Sequence, residues 1–401
     1  MVDALRKYFK GDAVVWSVIV ALSIISLLAV YSSTGTLAYK SAHGNTTYYV
    51  FKHFTFMFVG FVIIYVTHRI PYKYYSRLSQ LLLLMSIPLL AMTLVFGAHR
   101  NDASRWLTLP GLGFSFQSSD FAKLAIMMYL ARVLSLKQEV IKDFKKAFVP
   151  LILPVGLICI LILPANLSTA AILFAACLVM MFVGRVNLKH IFAVIGIGVV
   201  ALVLFISITL LLHKEGRIKT WKARVESFVS GESEDNFQAE QSKIAIATGG
   251  VIGRGPGNSV QRNFLPYPYA DFIYAIIIEE YGLVGGVVVI FFYLWMLFRA
   301  GIMVRKSDRT FPAFLAFGLT LLLVFQAMVN MAVAVNLFPV TGQTLPLVSM
   351  GGTSVLFSCF ALGIILSVSN RNTELEEVST DLANPDINKQ KESEEKSDEE
   401  Q

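Results

Sequence analysis

About ten apolar runs recur along the chain, and each is close to the length that a helix needs to cross a lipid bilayer. A hydrocarbon core about 30 Å thick takes about 20 helical residues. Of the 401 residues, 55% are hydrophobic and only 15% are charged, which is far more apolar than a soluble domain. We therefore expect an all-α integral membrane protein. The predicted spans are residues 13–34, 49–67, 79–97, 117–135, 147–164, 167–184, 190–212, 270–298, 311–336 and 345–369.

The first apolar run, from Ala13 to Tyr31, has no clear small-residue cleavage site after it. It is expected to remain as the first transmembrane helix rather than to act as a signal peptide. The three cysteines, Cys159, Cys177 and Cys359, lie inside apolar runs, where a free thiol behaves as a small hydrophobic group. We expect neither a disulfide framework nor a metal site from them.

Lysine and arginine are concentrated in the short segments on one side of the predicted spans, and the positive-inside rule makes that side the cytoplasm. They are Arg6, Lys7, Lys10, Arg69, Lys73, Arg77, Arg132, Lys137, Lys142, Lys145, Lys146, Arg185, Lys189, Arg299, Arg305, Lys306, Arg309 and Arg371. A membrane domain of residues 13–370 then has cytoplasmic ends, 1–12 and 371–401, and a long outer loop, 213–269. The tail is strongly acidic and is expected to be disordered. Because the basic residues flank the spans, no nucleic-acid partner is expected.

The stretch from Gly249 to Gly286 places acidic residues where the chain is otherwise apolar. A glycine-rich loop turns at Asp271 into an apolar segment that contains Glu279 and Glu280. A carboxylate at membrane depth costs at least a few kcal/mol, so these acids must be paired, face water or have a function. Asp271 has two open interpretations: it caps the eighth helix, or it accepts a proton in a reaction.

Unusual polar side chains collect at the outer ends of the predicted spans. Gln326 and Asn330 lie four residues apart and face one way on the ninth span, which the segment 336–354 connects to the tenth. The set also includes Arg105, Trp106, Gln117, Ser118, Ser119, Asp120, Lys123, Asn166, Ser168, Asp271 and Ser349. A reactive site in this chain is therefore expected outside the cytoplasm. Candidates to bind its substrate are Arg105, Trp106, Asp120, Lys123, Gln326, Asn330 and Ser349.

The outer face of a membrane offers no ATP pool, and the chain has no GxxxxGK[ST] loop. Any group transfer there must use a substrate that arrives already activated, and a lipid-linked sugar pyrophosphate fits. Amides of the glycine-rich loop, with the polar side chains around it, are candidates to hold pyrophosphate oxygens. These side chains are Lys243, Arg254, Asn258, Ser259 and Arg262.

Each of these features also has a purely structural interpretation. Asp120 and Lys123 lie three residues apart on one helical face and can neutralise each other within the bilayer. The GxGxPG run is typical of an ordinary loop. Gln326 and Asn330 are typical of hydrogen bonds between membrane helices.

Three long stretches, taken in order, are similar to a known family. They are RWLTLPGLGFSFQSSDFAKLA, GGVIGRGPGNSVQRNFLPYPYADFIYAIIIEEYGLVGG and QAMVNMAVAVNLFPVTGQTLPLVSMGGTS. On these residues the chain resembles the SEDS family of bacterial shape, elongation, division and sporulation proteins, across nearly all its spans but not the tail. The wording DFIYAIIIEEYGLVGG looks more like the division members than the elongation members.

The resemblance implies a ten-helix peptidoglycan glycosyltransferase that polymerises lipid II outside the cytoplasmic membrane at the division septum. Its implied partners are a class B penicillin-binding transpeptidase and other divisome proteins. The family's essential aspartate falls on Asp271, its Arg-Trp pair on Arg105 and Trp106, and the acid and lysine of the fourth span on Asp120 and Lys123.

Two positions depart from the family pattern. Many relatives have an acid where this chain has Asn166, and a Pro-Glu pair where it has Pro266 and Tyr267. Neither Asn166 nor Tyr267 is expected to have an acidic role.

The expected reaction begins when Asp271 accepts the proton of a sugar 4-hydroxyl that attacks the anomeric carbon of another strand. Undecaprenyl pyrophosphate leaves, and Lys123, Arg254 or Arg262 stabilises its charge. The sequence offers no cluster of protein metal ligands, so a divalent cation such as Mg²⁺ or Mn²⁺ would be held largely by the pyrophosphate. Two other functions remain open, a lipid II flippase and a non-catalytic scaffold for a transpeptidase.

Overall fold

The computed structural model describes residues 10–35, 37, 39, 45–100, 103–108, 115–211 and 234–383. Within these residues the chain is almost entirely helical. The helices are α1 (Ala13–Ser33), α2 (Thr46–Arg69), α3 (Tyr72–Phe96), α4 (Ser118–Leu136), α5 (Val149–Ile162), α6 (Leu167–Val183), α7 (Leu188–Leu211), α8 (Glu234–Gly249), α9 (Ile273–Lys306), α10 (Thr310–Ala334) and α11 (Thr353–Ala383). A π-helical turn, Phe144–Phe148, leads directly into α5.

Seven helical stretches in the described part of the chain are long and apolar enough to cross a membrane. They are Ala13–Ser33, Thr46–Arg69, Tyr72–Phe96, Phe144–Ile162, Ile273–Lys306, Thr310–Ala334 and Thr353–Asn370. Two shorter apolar helices are Leu167–Val183 and Leu188–Ala201. The expectation of a multi-span helical membrane protein is therefore confirmed.

Helices α4, α10 and α11 form the centre of the bundle, and the residues along most of their apolar length are buried. The surrounding helices expose large apolar side chains on their outward faces, such as Phe58 on α2, Leu84 on α3 and Phe291 on α9. A continuous apolar exterior is what helices present to lipid chains. The buried polar side chains of Asp120, Lys123, Gln326 and Asn330 belong to the central helices α4 and α10.

A three-stranded antiparallel sheet between α3 and α4 was not predicted. Its strands are β1 (Ala98–Arg100), β2 (Ala103–Thr108) and β3 (Ser115–Gln117), in the order β1-β2-β3. Strands this short show no readable alternation of apolar and polar residues. Because β3 runs directly into α4, the sheet fixes the start of that helix.

The predicted tenth span began at residue 345, but α11 begins at Thr353. The preceding segment contains prolines and residues with positive φ, among them Gly342 (φ 65°) and Leu347 (φ 64°), which interrupt a helix. At its other end α11 continues to Ala383, beyond Arg371, where we predicted disorder. Residues 384–401 lie outside the described residues.

The predicted outer loop, residues 213–269, contains α8, which packs against α9. The buried Ser242 hydroxyl of α8 donates a hydrogen bond of 2.6 Å to the carbonyl oxygen of Ala334, at the end of α10. The helix-like spacing of Val225, Phe228, Ile244 and Ile246 predicts amphipathic helices in this loop, and Ile244 and Ile246 lie in α8. Val225 and Phe228 lie outside the described residues.

Candidate functional site

Asp271 lies in a turn that precedes α9. The N–H groups of Ala270 and Asp271 both donate to the carbonyl oxygen of Tyr267, at 3.1 and 3.2 Å. Phe272 occupies the N-cap position of α9 and makes no side-chain cap bond. Asp271 therefore lies one residue before the N-cap position of α9, and its side chain is half-buried.

The fourth-span pair, Asp120 and Lys123, is formed and buried. The Lys123 Nζ lies 2.8 Å from Asp120 Oδ1 and donates a second bond of 2.8 Å to Gln326 Oε1 on α10. The side chains of Asp120 and Lys123 are only 6% and 5% exposed. Asp120 Oδ2 accepts no hydrogen bond within the described part of the chain. One carboxylate oxygen of Asp120 is thus paired with Lys123, and the other has no hydrogen bond among the described residues. This arrangement fits both a pair that stabilises the bundle and a pair that contacts a ligand.

Asn330 lies one helical turn after Gln326 and connects α10 to the Asp271 turn. Its Nδ2 donates to the carbonyl oxygen of Asp271 at 2.9 Å and to that of Gln343 at 2.6 Å. Residues four apart on a helix are neighbours, about 6 Å apart. One face of α10 therefore brings together the Lys123 pair and the turn that carries Asp271.

The polar contacts of Asn330 and Gln326 continue into the segment before α11 and into α6. Gln343 Nε2 donates to the Thr169 hydroxyl at 2.7 Å, and Asn166 caps α6 by accepting from the N–H of Thr169. Gln326 Nε2 donates to the carbonyl oxygen of Thr344 at 3.0 Å. Asn166, which has no acidic role by sequence, is thus a helix cap in the structure.

The glycine-rich loop is held against a break in α9. Gly282 has φ 70° and ψ −174°, so the helical hydrogen-bond ladder is interrupted there. The loop replaces it: the N–H groups of Arg254 and Gly255 donate to the carbonyl oxygens of Glu279 and Glu280 at 3.0 and 2.9 Å. The amides of Arg254 and Gly255 are therefore bound to the protein's own main chain.

The two acids of α9 are buried and bind the segment that follows the loop. Glu279 accepts from the Ser259 hydroxyl at 2.5 Å and from the N–H of Val260 at 2.9 Å. Glu280 accepts from the hydroxyl of Ser32 on α1. Both acids are therefore paired with the protein itself, which is one of the alternatives expected for acids in an apolar segment.

The candidate polar side chains of the predicted outer loop differ in their exposure and in the bonds that they already make. The Arg254 side chain is 39% exposed and lies 3.7 Å from Glu279 Oε1, while Arg262 Nη1 donates to the Ser32 carbonyl oxygen at 3.0 Å. Lys243 is exposed on α8. Asn258 is exposed, and its Nδ2 donates to the Arg254 carbonyl oxygen. Ser259 is buried, with its hydroxyl held by Glu279.

Arg105 and Trp106 lie in the central strand β2. Trp106 is half-buried and pairs with Ala98 and Gln117 across the sheet. The side chain of Arg105 lies outside the described residues. The Arg-Trp motif is therefore held at the start of α4 by a sheet that sequence patterns did not reveal.

An apolar cavity of about 570 Å³ lies among α2, α3, α4 and α11, with β3 at one end. Phe121 and Leu124 of α4 line it, while Asp120 and Lys123, each one residue before them, face α10. Thr353 also lines the cavity. Helix α4 therefore lies between a largely apolar cavity and the polar cluster.

A model of the FtsW, RodA and SpoVE proteins, described as cell cycle proteins, matches residues 12–374. The chain belongs to the FtsW/RodA/SpoVE family. This family is the one that the three motif stretches resemble, so that resemblance is confirmed.

Relatives within the family match nearly the whole chain. The probable peptidoglycan glycosyltransferase FtsW of Trichlorobacter lovleyi is 35% identical over 379 residues, with 92% of this chain and 96% of the relative covered. Stage V sporulation protein E of Bacillus subtilis is 31% identical over 372 residues, with 90% and 98% covered.

Solved structures of the family share the fold. The rod shape determining protein RodA of Thermus thermophilus has a TM-score of 0.66 at 22% identity, with 91% of this chain and 98% of that chain covered. A chain from a peptidoglycan synthase complex, solved in work on the coordination of polymerization and crosslinking, has a TM-score of 0.68 at 24% identity, with 90% and 98% covered. At these identities the likeness establishes the fold alone.

Sequence reasoning missed several residues of the cluster. Ser32, Gln343 and Thr344 bind Glu280, Asn330 and Gln326, respectively. Ser32 is followed by Ser33 and Thr34 at the end of the first predicted span, and nothing in the sequence distinguishes it from them. Gln343 and Thr344 lie in the third motif stretch, where each polar residue between prolines was a usable clue.

Proposed function

We propose that this chain is a peptidoglycan glycosyltransferase that polymerises lipid II at the outer face of the cytoplasmic membrane during septal wall synthesis. The observation that carries the proposal is the turn at Asp271, which one face of α10 joins to the buried Asp120–Lys123 pair. The names of the relatives support the activity. Relatives called FtsW are 30–35% identical, and RodA is 22% identical, which favours a division role.

Asp271 is the general base of the proposed reaction. The 4-hydroxyl oxygen of one lipid-linked disaccharide attacks the anomeric carbon of a second, and its proton passes to a carboxylate oxygen of Asp271. The bond between that carbon and the pyrophosphate oxygen breaks, with inversion. Undecaprenyl pyrophosphate leaves with the bonding electron pair.

Arg254 is the best placed of the loop cations to meet the leaving pyrophosphate, because its guanidinium is partly exposed and 3.7 Å from its acid. Arg262 is committed to Ser32. Lys123 contributes positive charge from the buried cluster. A divalent cation, such as Mg²⁺ or Mn²⁺, would be carried by the pyrophosphate oxygens rather than by a protein cluster.

The apolar cavity is the proposed place for the polyprenyl chain of the substrate. Its lining includes Val66, Phe121 and Phe357 and is apolar apart from threonines such as Thr353. Next to Thr353, the Ser354 hydroxyl lies 3.2 Å from that of Thr344, which belongs to the polar cluster. A chain in the cavity would thus have its head group beside the reactive residues.

The proposed topology has ten spans, α1–α7 and α9–α11, with cytoplasmic termini and the 213–269 loop outside. Asp12, before α1, forms an ion pair with Arg299 near the end of α9, with a distance of 2.5 Å from Oδ2 to Nε. The two helix ends therefore lie on the same side. That side carries the basic residues counted above, which supports a cytoplasmic N-terminus.

We also propose that a class B penicillin-binding transpeptidase and other divisome proteins are partners. Fold likeness to a chain of a peptidoglycan synthase complex supports a transpeptidase partner. Polymerisation must then supply glycan strands to a crosslinking enzyme outside the membrane.

The decisive experiment is polymerisation of lipid II by the purified full-length protein, with and without the transpeptidase. Asp271→Asn should leave folding intact but abolish most turnover, because an amide does not accept a proton at neutral pH. The matched control is Asp308→Asn, the same change at an exposed acid between α9 and α10, which should be fully active. Normal polymerisation by a folded Asp271→Asn protein would overturn the mechanism. Absence of polymerisation by the wild-type protein would favour a function as a flippase or a scaffold.

A further inference from the structure

The turn that carries Asp271 is fixed through its main-chain carbonyl groups. The N–H of Met350 donates to Tyr269 O at 2.9 Å, and the Ser349 hydroxyl donates to Ala270 O at 2.6 Å. Asn330 Nδ2 completes the series on Asp271 O. Three consecutive carbonyl groups thus receive three donors from outside the turn. Because no helical ladder holds these residues, such bonds fix the main chain from which the Asp271 side chain extends.

Two of these donors come from one segment, Leu345–Met350, which we name the clip. Its own conformation is held from several sides: the Tyr293 hydroxyl donates to Pro346 O at 2.5 Å, and the Ser26 hydroxyl donates to Val348 O at 2.8 Å. Within the clip, Leu347 is buried with φ 64°, a conformation that L residues rarely adopt. Such conformations persist where the surroundings over-determine them, often at functional sites.

Within the clip, the side chain of Ser349 binds the turn that carries Asp271. Its hydroxyl accepts a bond of 2.8 Å from the N–H of Leu345 while it donates to Ala270 O. A carbonyl only accepts and an N–H only donates, so the direction of both bonds is fixed. Ser349 is 1% exposed, which keeps competing water away. One hydroxyl therefore closes the clip and ties it to the turn.

We propose that Ser349 is a positioning residue that sets the Asp271 carboxylate for proton transfer, an inference that rests on the proposed function. The sequence suggested Ser349 as a substrate-binding residue. The structure assigns its hydroxyl to the protein instead. Its effect should therefore appear in turnover rather than in substrate affinity, because misplacement of a reacting group by about 1 Å can cost about 10²-fold in rate.

The test is steady-state polymerisation of lipid II by the full-length protein with its transpeptidase partner. Ser349→Ala, which removes both bonds, should lower kcat by about 10- to 100-fold and change KM by less than about threefold. Ser349→Thr keeps a hydroxyl and should restore most of the rate. Ser349→Cys keeps the size but offers only a weak donor, so it should resemble alanine.

The matched control is Ser358→Ala on α11. Ser358 is also buried, but its hydroxyl donates only to Ser354 O in its own helix, at 2.9 Å. This variant should keep the wild-type rate and give a reference for thermal stability. If Ser349→Ala does not fold, Ser349→Cys takes its place, since it leaves no cavity.

Two results would overturn the proposal. One is a folded Ser349→Ala or Ser349→Cys protein with kcat within twofold of wild type. The other is a change confined to KM, which would make Ser349 a substrate contact. Asp271→Asn, measured in parallel, distinguishes failure of the positioning role from failure of the proposed base. An inactive Asp271→Asn protein with a fully active Ser349→Ala protein refutes the positioning role alone. An active Asp271→Asn refutes the proposed base, and the positioning role with it.

Discussion

Replacement of Gly282 by alanine is expected to destabilise the protein far more than an ordinary glycine substitution in a helix. The φ and ψ of Gly282, 70° and −174°, are essentially restricted to glycine. A Cβ there would lie 2.1 Å from the carbonyl oxygen of Val251 and 2.6 Å from the nitrogen of Gly253. Both are main-chain atoms, so no side-chain rotation relieves the overlap.

The loss in the free energy of unfolding depends on how the structure accommodates the added Cβ. Holding alanine in this conformation costs about 1–3 kcal/mol. Moving the loop away instead disrupts main-chain hydrogen bonds that each contribute about 0.5–1.5 kcal/mol. Those bonds join Arg254 N to Glu279 O, Gly255 N to Glu280 O, Leu283 N to Gly250 O and Val284 N to Val251 O. Where strain and the loss of two to four such bonds occur together, the free energy of unfolding falls by about 2–9 kcal/mol.

The assay is thermal unfolding in one detergent, with Gly301→Ala as the control on the same helix. A Cβ at Gly301 meets no atom within 4 Å, so alanine there should stabilise the helix by roughly 0.5–1 kcal/mol. Gly282→Ala should unfold at a much lower temperature and lose polymerisation, because the anchored loop carries Arg254. Equal shifts for the two variants would refute this account of the loop.

Two further predictions concern the polar cluster and the cavity. Lys123→Met should lose activity and stability because it leaves the Asp120 carboxylate buried without its cation. The double variant Asp120→Asn with Lys123→Met should recover stability in thermal unfolding but not polymerisation. Recovery of both would mean that the two residues only neutralise each other. Val66→Trp should narrow the cavity and raise KM for lipid II by about tenfold (about 1.4 kcal/mol). The control Val20→Trp, on the exposed face of α1, should leave KM unchanged. Equal KM values for the two variants would show that the cavity is not the lipid site.

Helix positions were predictable because apolar runs of membrane length have few alternatives. The ninth predicted span, 311–336, corresponds to α10 at Thr310–Ala334, and the pairing of Asp120 with Lys123 follows from their spacing on one helix. Both depend on local periodicity and on the cost of isolated charge in lipid. Such constraints can be read from one chain.

The arrangement around Asp271 was not predictable in the same way. The break at Gly282 depends on a loop about thirty residues earlier, and Glu280 meets Ser32 from the far end of the sequence. The glycine-rich wording is equally compatible with a phosphate cradle and with close main-chain packing, since both need room where a Cβ would lie. Only the tertiary partners distinguish the two uses.

The structure therefore divides these polar residues into two groups by how deeply their side chains are buried. Asn330, Ser349 and Ser259 use their polar atoms on the protein's own backbone or buried acids, so their removal should reduce turnover and stability together. Asp271 and Arg254 have half-buried or exposed side chains. Their removal should reduce turnover with little loss of stability. A comparison of the two quantities across these variants separates the residues that build the site from those that act in it, a distinction that residue type alone does not make.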